Sequence, residues 1–212
     1  MYLVKTPPLI KSLFNDFIWD IDTDEKTVFL TFDDGPVPDV TPWVLDILKE
    51  YGFKATFFCV GENVEKHYDI YQRILAEGHT VGNHTYNHIN GWFEDNTVYM
   101  DNILKCDALF STYFFRPPYG KIKKSQYTAL QLHKSVVMWD ILSGDFDTSI
   151  TNEKCLSNVV DHYKSGSVIV FHDSLKAKDK LMYALPGVLE HLTDHGFKSE
   201  SLDYAMEYGQ LV

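Results

Sequence analysis

The run Val28-Phe29-Leu30-Thr31-Phe32 ends abruptly in Asp33-Asp34-Gly35-Pro36, and this junction constrains the fold more than any other stretch of the chain. The run reads as a buried strand, and Gly35-Pro36 stops it sharply. Successive strand residues point to opposite sides, so Asp33 and Asp34 should not do the same job. Carboxylates at the end of a buried strand cost stability unless something cationic meets them. Taken alone, the junction reads equally well as a turn with helix-capping aspartates.

The same design recurs along the chain. Apolar runs at 28–32, 55–60, 79–83, 113–116, 136–141, 167–172 and near 197–202 read as strands, with helical stretches at 41–51, 62–77, 95–110, 121–133, 153–164 and 179–195 between them. Thr41-Pro42 suits a helix N-cap and first position, and Gly52 suits the stop. Regular β-α alternation argues an α/β fold with a parallel sheet or barrel. Polar residues follow the apolar runs at Asp33-Asp34, Arg116, Asp140 to Asp147 and His172-Asp173, which gathers them on one sheet edge. Parallel α/β folds build their active sites at that edge.

Gly82-Asn83-His84-Thr85-Tyr86-Asn87-His88 supplies two histidines at i and i+4, a spacing that puts both imidazoles on one face of a helical turn. With one Asp they would make three protein ligands and leave a position open for water, the pattern of a catalytic metal site. Each element also has a plainer reading on its own. His84 and His88 could be a surface pair, Arg116 could bridge strand-end carboxylates, and His172-Asp173 could be a buried His beside an N-cap. The plain readings give no reason for these motifs to share one edge.

The order TFDDGP, HxxxH, RPPYG, an Asp-aromatic loop and a strand ending in His-Asp resembles the polysaccharide deacetylase family, the NodB-homology domain of carbohydrate esterase family 4. The resemblance runs from about Thr27 to His172. It implies a distorted, incomplete (β/α) barrel and a metal-dependent hydrolase that removes acetyl groups from N-acetylated, or O-acetylated, sugars. It implies Asp34, His84 and His88 as metal ligands, Asp33 as catalytic base, and Arg116 as the arginine that holds that base. It further implies His172 as general acid, Asp145 as the residue that orients it, and Tyr119 as a backbone donor to the oxyanion. Pro117, Phe146 and Trp92 are then candidates for contact with the glycan, with Tyr86 and Phe93 nearby. Two imidazoles and a carboxylate suit Zn²⁺, although Co²⁺, Ni²⁺, Mn²⁺ or Fe²⁺ can occupy such a set. The chain departs from the family pattern at Leu142 and Phe146, which stand where an acidic residue and a Trp are usual, and at Val170, where Leu is commoner. Asp140 and Asp147 are the rivals of Asp145 beside His172. Two other readings stay open: hydrolysis of a different amide or imide on the same scaffold, and carbohydrate binding without turnover.

Composition narrows the partners. A net charge of −11 argues against nucleic acid and strongly anionic polymers. At 212 residues without a Pro/Gly/Ser-rich linker or repeat, the whole chain is expected to be one domain, with 1–26 an extension packing on the barrel. Within it, the amphipathic Leu9–Trp19 is expected to cover the barrel bottom, a membrane surface being the other use of such a segment. Cys59, Cys106 and Cys155 show neither CxxC spacing nor an even count, so no disulfide framework is expected. Lys5, Pro7-Pro8, Lys11 and Asp16 interrupt any apolar leader, and the expectation from that is a cytoplasmic chain. No run is long enough for a transmembrane span. Oligomeric state leaves no mark in the sequence.

Overall fold

The computed structural model of the chain describes residues 2–207. In chain order these form α1 (Pro8–Leu13), β1 (Thr27–Asp33), α2 (Thr41–Tyr51), β2 (Ala55–Cys59), α3 (Gly61–Lys66), α4 (Tyr68–Ala76) and β3 (Thr80–Asn83). Then come α5 (Asn96–Asp107), β4 (Phe114–Phe115), a 3₁₀ turn (Pro118–Gly120), α6 (Lys124–Leu130), β5 (Ser135–Val136) and β6 (Ile141–Leu142). The rest is α7 (Asn152–Val160), β7 (Val168–His172), α8 (Lys178–Asp194), β8 (Lys198–Ser199) and α9 (Leu202–Glu207).

The strands build one sheet in the order β5-β4-β3-β2-β1-β7-β6, with β8 added beside the start of β1. All its strand pairs are parallel. Every residue of β1 is buried, as a central strand covered on both faces must be. Its alternation sorts the two faces. Val28, Leu30 and Phe32 join the large core shared with Val44, Leu45, Leu185 and Leu189 of the surrounding helices. Phe29 joins a separate inner cluster with Phe58, Phe114, Val137 and Val168. Thr31 and Asp33, two and four residues on, therefore face the interior of the curl.

That the sheet curls follows from connectivity. β5 and β6 lie at opposite ends of the strand order, yet only Val137–Asp140 separates them. Five residue steps span at most ~18 Å, so the two ends must come close together. The single strand expected over 136–141 is thus two short strands with a crossing between them. In the crossing the carbonyls of Val137 and Met138 accept from the Arg116 guanidinium at 3.1 and 2.8 Å, bonds that a strand neighbour would otherwise supply. Chain residues 4–20 fill the remaining gap. Leu142 N–H donates to Val4 and Thr6 N–H to the Asp140 carbonyl on one side, and Ile18 exchanges bonds with Val136 and Met138 on the other. The result is the distorted, incomplete barrel expected.

Other expectations are adjusted. The helix expected over 62–77 breaks at His67 into α3 and α4. α3 is tied to the site, its first N–H donating to Thr85 and its Asn63 amide to the Asp34 carbonyl, while α4 packs Ile70, Tyr71 and Ile74 inward. The strand near 197–202 is only β8, because helix α9 begins at Leu202. Thr41 is not the N-cap of α2; Val40 is, and the Thr41 hydroxyl is engaged elsewhere. Gly52 does end α2 in a left-handed conformation. The three cysteines are buried and unpaired. No helix among the described residues is long and apolar enough to cross a membrane.

Helix α1 buries none of its residues, and Leu9, Leu13 and Phe14 stand exposed. Cover comes from Ile10, Phe17, Ile18 and Trp19 instead. The segment is also fastened by charge. Lys11 meets the fully buried Asp140 at 2.5 Å, and the Ser167 hydroxyl donates to the same carboxylate at 2.6 Å. Removing one partner of a buried charge typically costs about 3 kcal/mol or more, because the other is left uncompensated. Lys11→Met is expected to lower the free energy of unfolding in urea by ~3 kcal/mol. An unchanged midpoint would mean that Lys5, 3.5 Å from Asp140, is sufficient alone.

Candidate active site

The site is built where the central strands end. Asp33 closes β1, and the register sets it directly beside His172 at the end of β7. Paired positions on neighbouring parallel strands share a face, so both side chains enter the same cleft. Its volume is about 600 Å³, and its lining includes Asp33, Asp34, His84, His88, Pro117, Tyr119, Phe146 and His172.

Asp33 and Asp34 are divided as strand alternation requires. Asp33 Oδ1 accepts from Arg116 at 2.7 Å. Arg116 is fully buried; the same Nη1 donates to Thr31 Oγ1, and the guanidinium lies 4.0 Å over the Phe58 ring. Burial pulls the Arg116 pKa down, and Asp33 opposes the fall. Asp34 turns the other way, in a left-handed conformation with φ of 83°.

Asp34, His84 and His88 converge, each offering a ligand atom within 4.8 Å of the others. Their chemistry fits a divalent cation. Asp34 Oδ1 is buried without a hydrogen-bond partner, although His88 Nε2 lies 3.1 Å and His84 Nε2 3.8 Å away. Burial disfavours charge on Asp34, but His88, His172 and His84 hold its carboxyl well below the usual range. Burial pushes His84 down to about 4, which keeps the imidazole neutral as a ligand must be. His84 Nδ1 is occupied by the Arg116 carbonyl at 2.8 Å, which leaves Nε2 to face the site. Among the described residues this is the one such cluster.

The two histidines do not sit on a helical turn. Residues 84–90 form a loop in which Thr85 and His88 have φ of 62° and 55°. The Asn83 carboxamide accepts from Thr85 N–H, and the Asn102 carboxamide accepts from Tyr86 and Asn87, replacing helical bonds. Tyr119 is left-handed too, with φ of 61°, and its ring packs 4.7 Å from His88. Such backbone costs on the order of 1–3 kcal/mol per residue and gathers at functional sites. Here it includes two of the three converging side chains.

His172 is gripped by Asp145 through two bonds, backbone N–H to Oδ2 at 2.6 Å and Nδ1 to Oδ1 at 2.8 Å. A carboxylate only accepts, so Nδ1 carries the proton and Nε2 is free. Burial disfavours charge on His172, but Asp145 outweighs it and raises the imidazole to about 9. The rivals lie elsewhere: Asp140 serves Lys11 and Ser167, and Asp147 accepts from Ser149. Phe146 stands edge-on to His172 at 5.1 Å.

Trp92, expected beside the glycan, is outside the cleft. Its indole N–H donates to the Ile122 carbonyl at 3.2 Å, and Lys121 lies 3.9 Å over its ring. Phe93 is 83% exposed and also outside, and Tyr86 is buried against Glu65 and Lys105. None of these three aromatics is among the residues that line the cleft. In their place Tyr2, Trp139, Leu142, Ser174 and Lys176 line the cleft. Asp173 was legible only as a cap. It accepts from Gly35 N–H at 3.0 Å and from the Thr41 hydroxyl at 2.5 Å, and burial raises it to about 7. A side chain on Gly35 would strike that carboxylate at 2.0 Å, so the Asp33–Pro36 turn requires glycine on grounds of space.

With this geometry in view, the comparison with known proteins is direct. The polysaccharide deacetylase sequence profile matches residues 20–136, more than half of the chain. This chain belongs to the polysaccharide deacetylase family. A peptidoglycan-N-acetylglucosamine deacetylase of Bacillus cereus is 31% identical over 197 residues, which is 90% of this chain and 92% of that protein. The peptidoglycan-N-acetylglucosamine deacetylase PgdA of Listeria monocytogenes is 33% identical over 84% of this chain, but only 38% of the longer relative is covered. A crystal structure of a peptidoglycan N-acetylglucosamine deacetylase in complex with a naphthyl-substituted N-oxidanyl-benzamide superposes with a TM-score of 0.84 at 32% identity. That match covers 93% of this chain and 95% of the other.

The His172 clamp gives a direct expectation. In a proton NMR titration the His172 imidazole should titrate near pH 9 in the metal-free protein. Asp145→Asn should lower that value by about 1–3 units, since an adjacent anion favours the cation by that much. An unchanged titration would remove Asp145 as the cause.

Proposed function

We propose that this chain is a metal-dependent deacetylase that hydrolyses the acetamide of N-acetylated sugars in a glycan of the peptidoglycan kind. The observation that carries the reading is the gathering, in one cleft, of an Arg-held Asp33 and an Asp-held His172 with Asp34, His84 and His88. Relatives that span nearly the same length are named for this reaction. A divalent cation held by the three ligands, Zn²⁺ by their chemistry, would polarise the acetyl carbonyl and acidify a water.

The chain's own residues do the rest. An acetamide is a weak electrophile with a poor leaving group, so both ends need assistance. Arg116 fixes one oxygen of Asp33 and leaves the other to take a proton from the attacking water. The water oxygen bonds to the acetyl carbon, and the Tyr119 N–H is assigned to the developing oxyanion. A donor of that kind is worth on the order of 10² or more in rate. His172 is raised far enough to be protonated at neutral pH. It gives its proton to the sugar nitrogen as the C–N bond breaks, releasing acetate and a free amine. Phe146, with Pro117 and Tyr119, walls the cleft around the acetamide.

Two variants separate the roles. Asp33→Asn should retain bound metal but lose at least ~10³-fold in acetate release from N-acetylated glycan fragments, the scale of a general base with its positioning. His84→Ala should lose metal and turnover together, read by elemental analysis alongside acetate. An Asp33→Asn protein with wild-type turnover would overturn the assignment of the base, and full turnover in metal-free His84→Ala would overturn the reaction class.

A further inference from the structure

Residues 4–6 lie along the free edge of the curled sheet. Lys5 pairs antiparallel with Ile141, and Leu142 N–H donates to the Val4 carbonyl at 2.8 Å. The Thr6 hydroxyl donates to the Trp139 carbonyl at 2.7 Å, and Lys5 reaches the His162 carbonyl at 2.5 Å. β6 runs toward the cleft, where Leu142 is part of the lining. An antiparallel partner therefore has its earlier residues at the cleft end, and Tyr2 is delivered there by register.

The Tyr2 ring sits 5.1 Å from Phe146 at 55°, and Phe146 in turn stands against His172. The fold leaves room for it: a side chain on Gly144 would strike the Tyr2 hydroxyl at 2.4 Å, and Gly144 has φ of 80°. Burial and the neighbouring Asp147 carboxylate push the phenol up to about 12, so it stays neutral. Tyr2 lies outside residues 20–136 that match the family. Its ring extends the aromatic surface that Phe146 presents in the cleft.

We infer that Tyr2 is a specificity-determining residue of the cleft: with Phe146 it forms an apolar wall beside His172, on which the pyranose carrying the acetamide stacks. Aromatic faces are the surfaces that ligand sites use for apolar contact of this kind. The inference rests on the deacetylase reading given above, since it needs a sugar in the cleft.

The test compares the full chain, reconstituted with Zn²⁺, with Tyr2→Ala and Tyr2→Phe. The substrates are an N-acetylglucosamine oligomer and 4-nitrophenyl acetate, an acetyl donor with no sugar. Loss of an aromatic stacking contact predicts a KM for the oligomer about tenfold higher in Tyr2→Ala, with kcat little changed. Hydrolysis of 4-nitrophenyl acetate should be unchanged, and Tyr2→Phe should behave as wild type on both. An unaltered oligomer KM in Tyr2→Ala would overturn the inference and leave the deacetylase reading intact. Equal losses on both substrates would also overturn it, by making Tyr2 a structural prop of the site. A wild-type protein that cleaves the ester but releases no acetate from any glycan would overturn the deacetylase reading, and the sugar wall with it.

Discussion

The buried Arg116–Asp33 pair is the constraint on which the rest of this structure depends. A guanidinium taken wholly out of water is costly unless its donors are met, and here they are met from several parts of the fold. Asp33 and Thr31 come from β1, and the carbonyls come from Val137 and Met138 in the crossing between β5 and β6. The pair therefore joins the centre of the sheet to the place where its two ends approach. The same residue's carbonyl fixes the His84 ring. One residue thus couples the closure of the barrel, the orientation of Asp33 and the presentation of His84 beside Asp34 and His88.

The site is a set of opposed electrostatic choices made by the ends of adjacent strands. Asp33 and Asp34 are neighbours in sequence, but strand alternation and a left-handed turn send one to a cation and the other to two imidazoles. His84 is kept neutral by burial, while His172, less fully enclosed, is kept charged by Asp145. Two histidines shifted in opposite directions thus share one cleft. Asp173 steadies the arrangement from behind, through Gly35 and Thr41.

Most of this was legible because it is carried by residues at strand ends. The TFDDGP junction, the RPPYG turn and the His-Asp end of β7 are short, local and set by alternation, and the structure brings them together. What was not legible depends on long-range closure. The 136–141 run has the composition of one strand, yet it divides into β5 and β6 with the carbonyls between them bonded to Arg116, remote in sequence. The His84–His88 spacing has a helical period, yet Asn83 and Asn102 side chains impose a loop. Trp92, near the motifs in sequence, packs beside Lys121 and Ile122 outside the cleft lining, whereas Tyr2, remote in sequence, reached the cleft through an antiparallel pairing that no local pattern announces.

The measurement that tests the account most directly is stoichiometric reconstitution. Chelator-stripped protein is titrated with Zn²⁺ while acetate release from N-acetylglucosamine oligomers and peptidoglycan fragments is followed. The account predicts no release without metal and a rate that rises to a plateau at one ion per chain, because a single Asp34–His84–His88 set serves the reaction. Release that survives complete removal of metal, or no release from any of these glycans by protein holding one ion per chain, would contradict it.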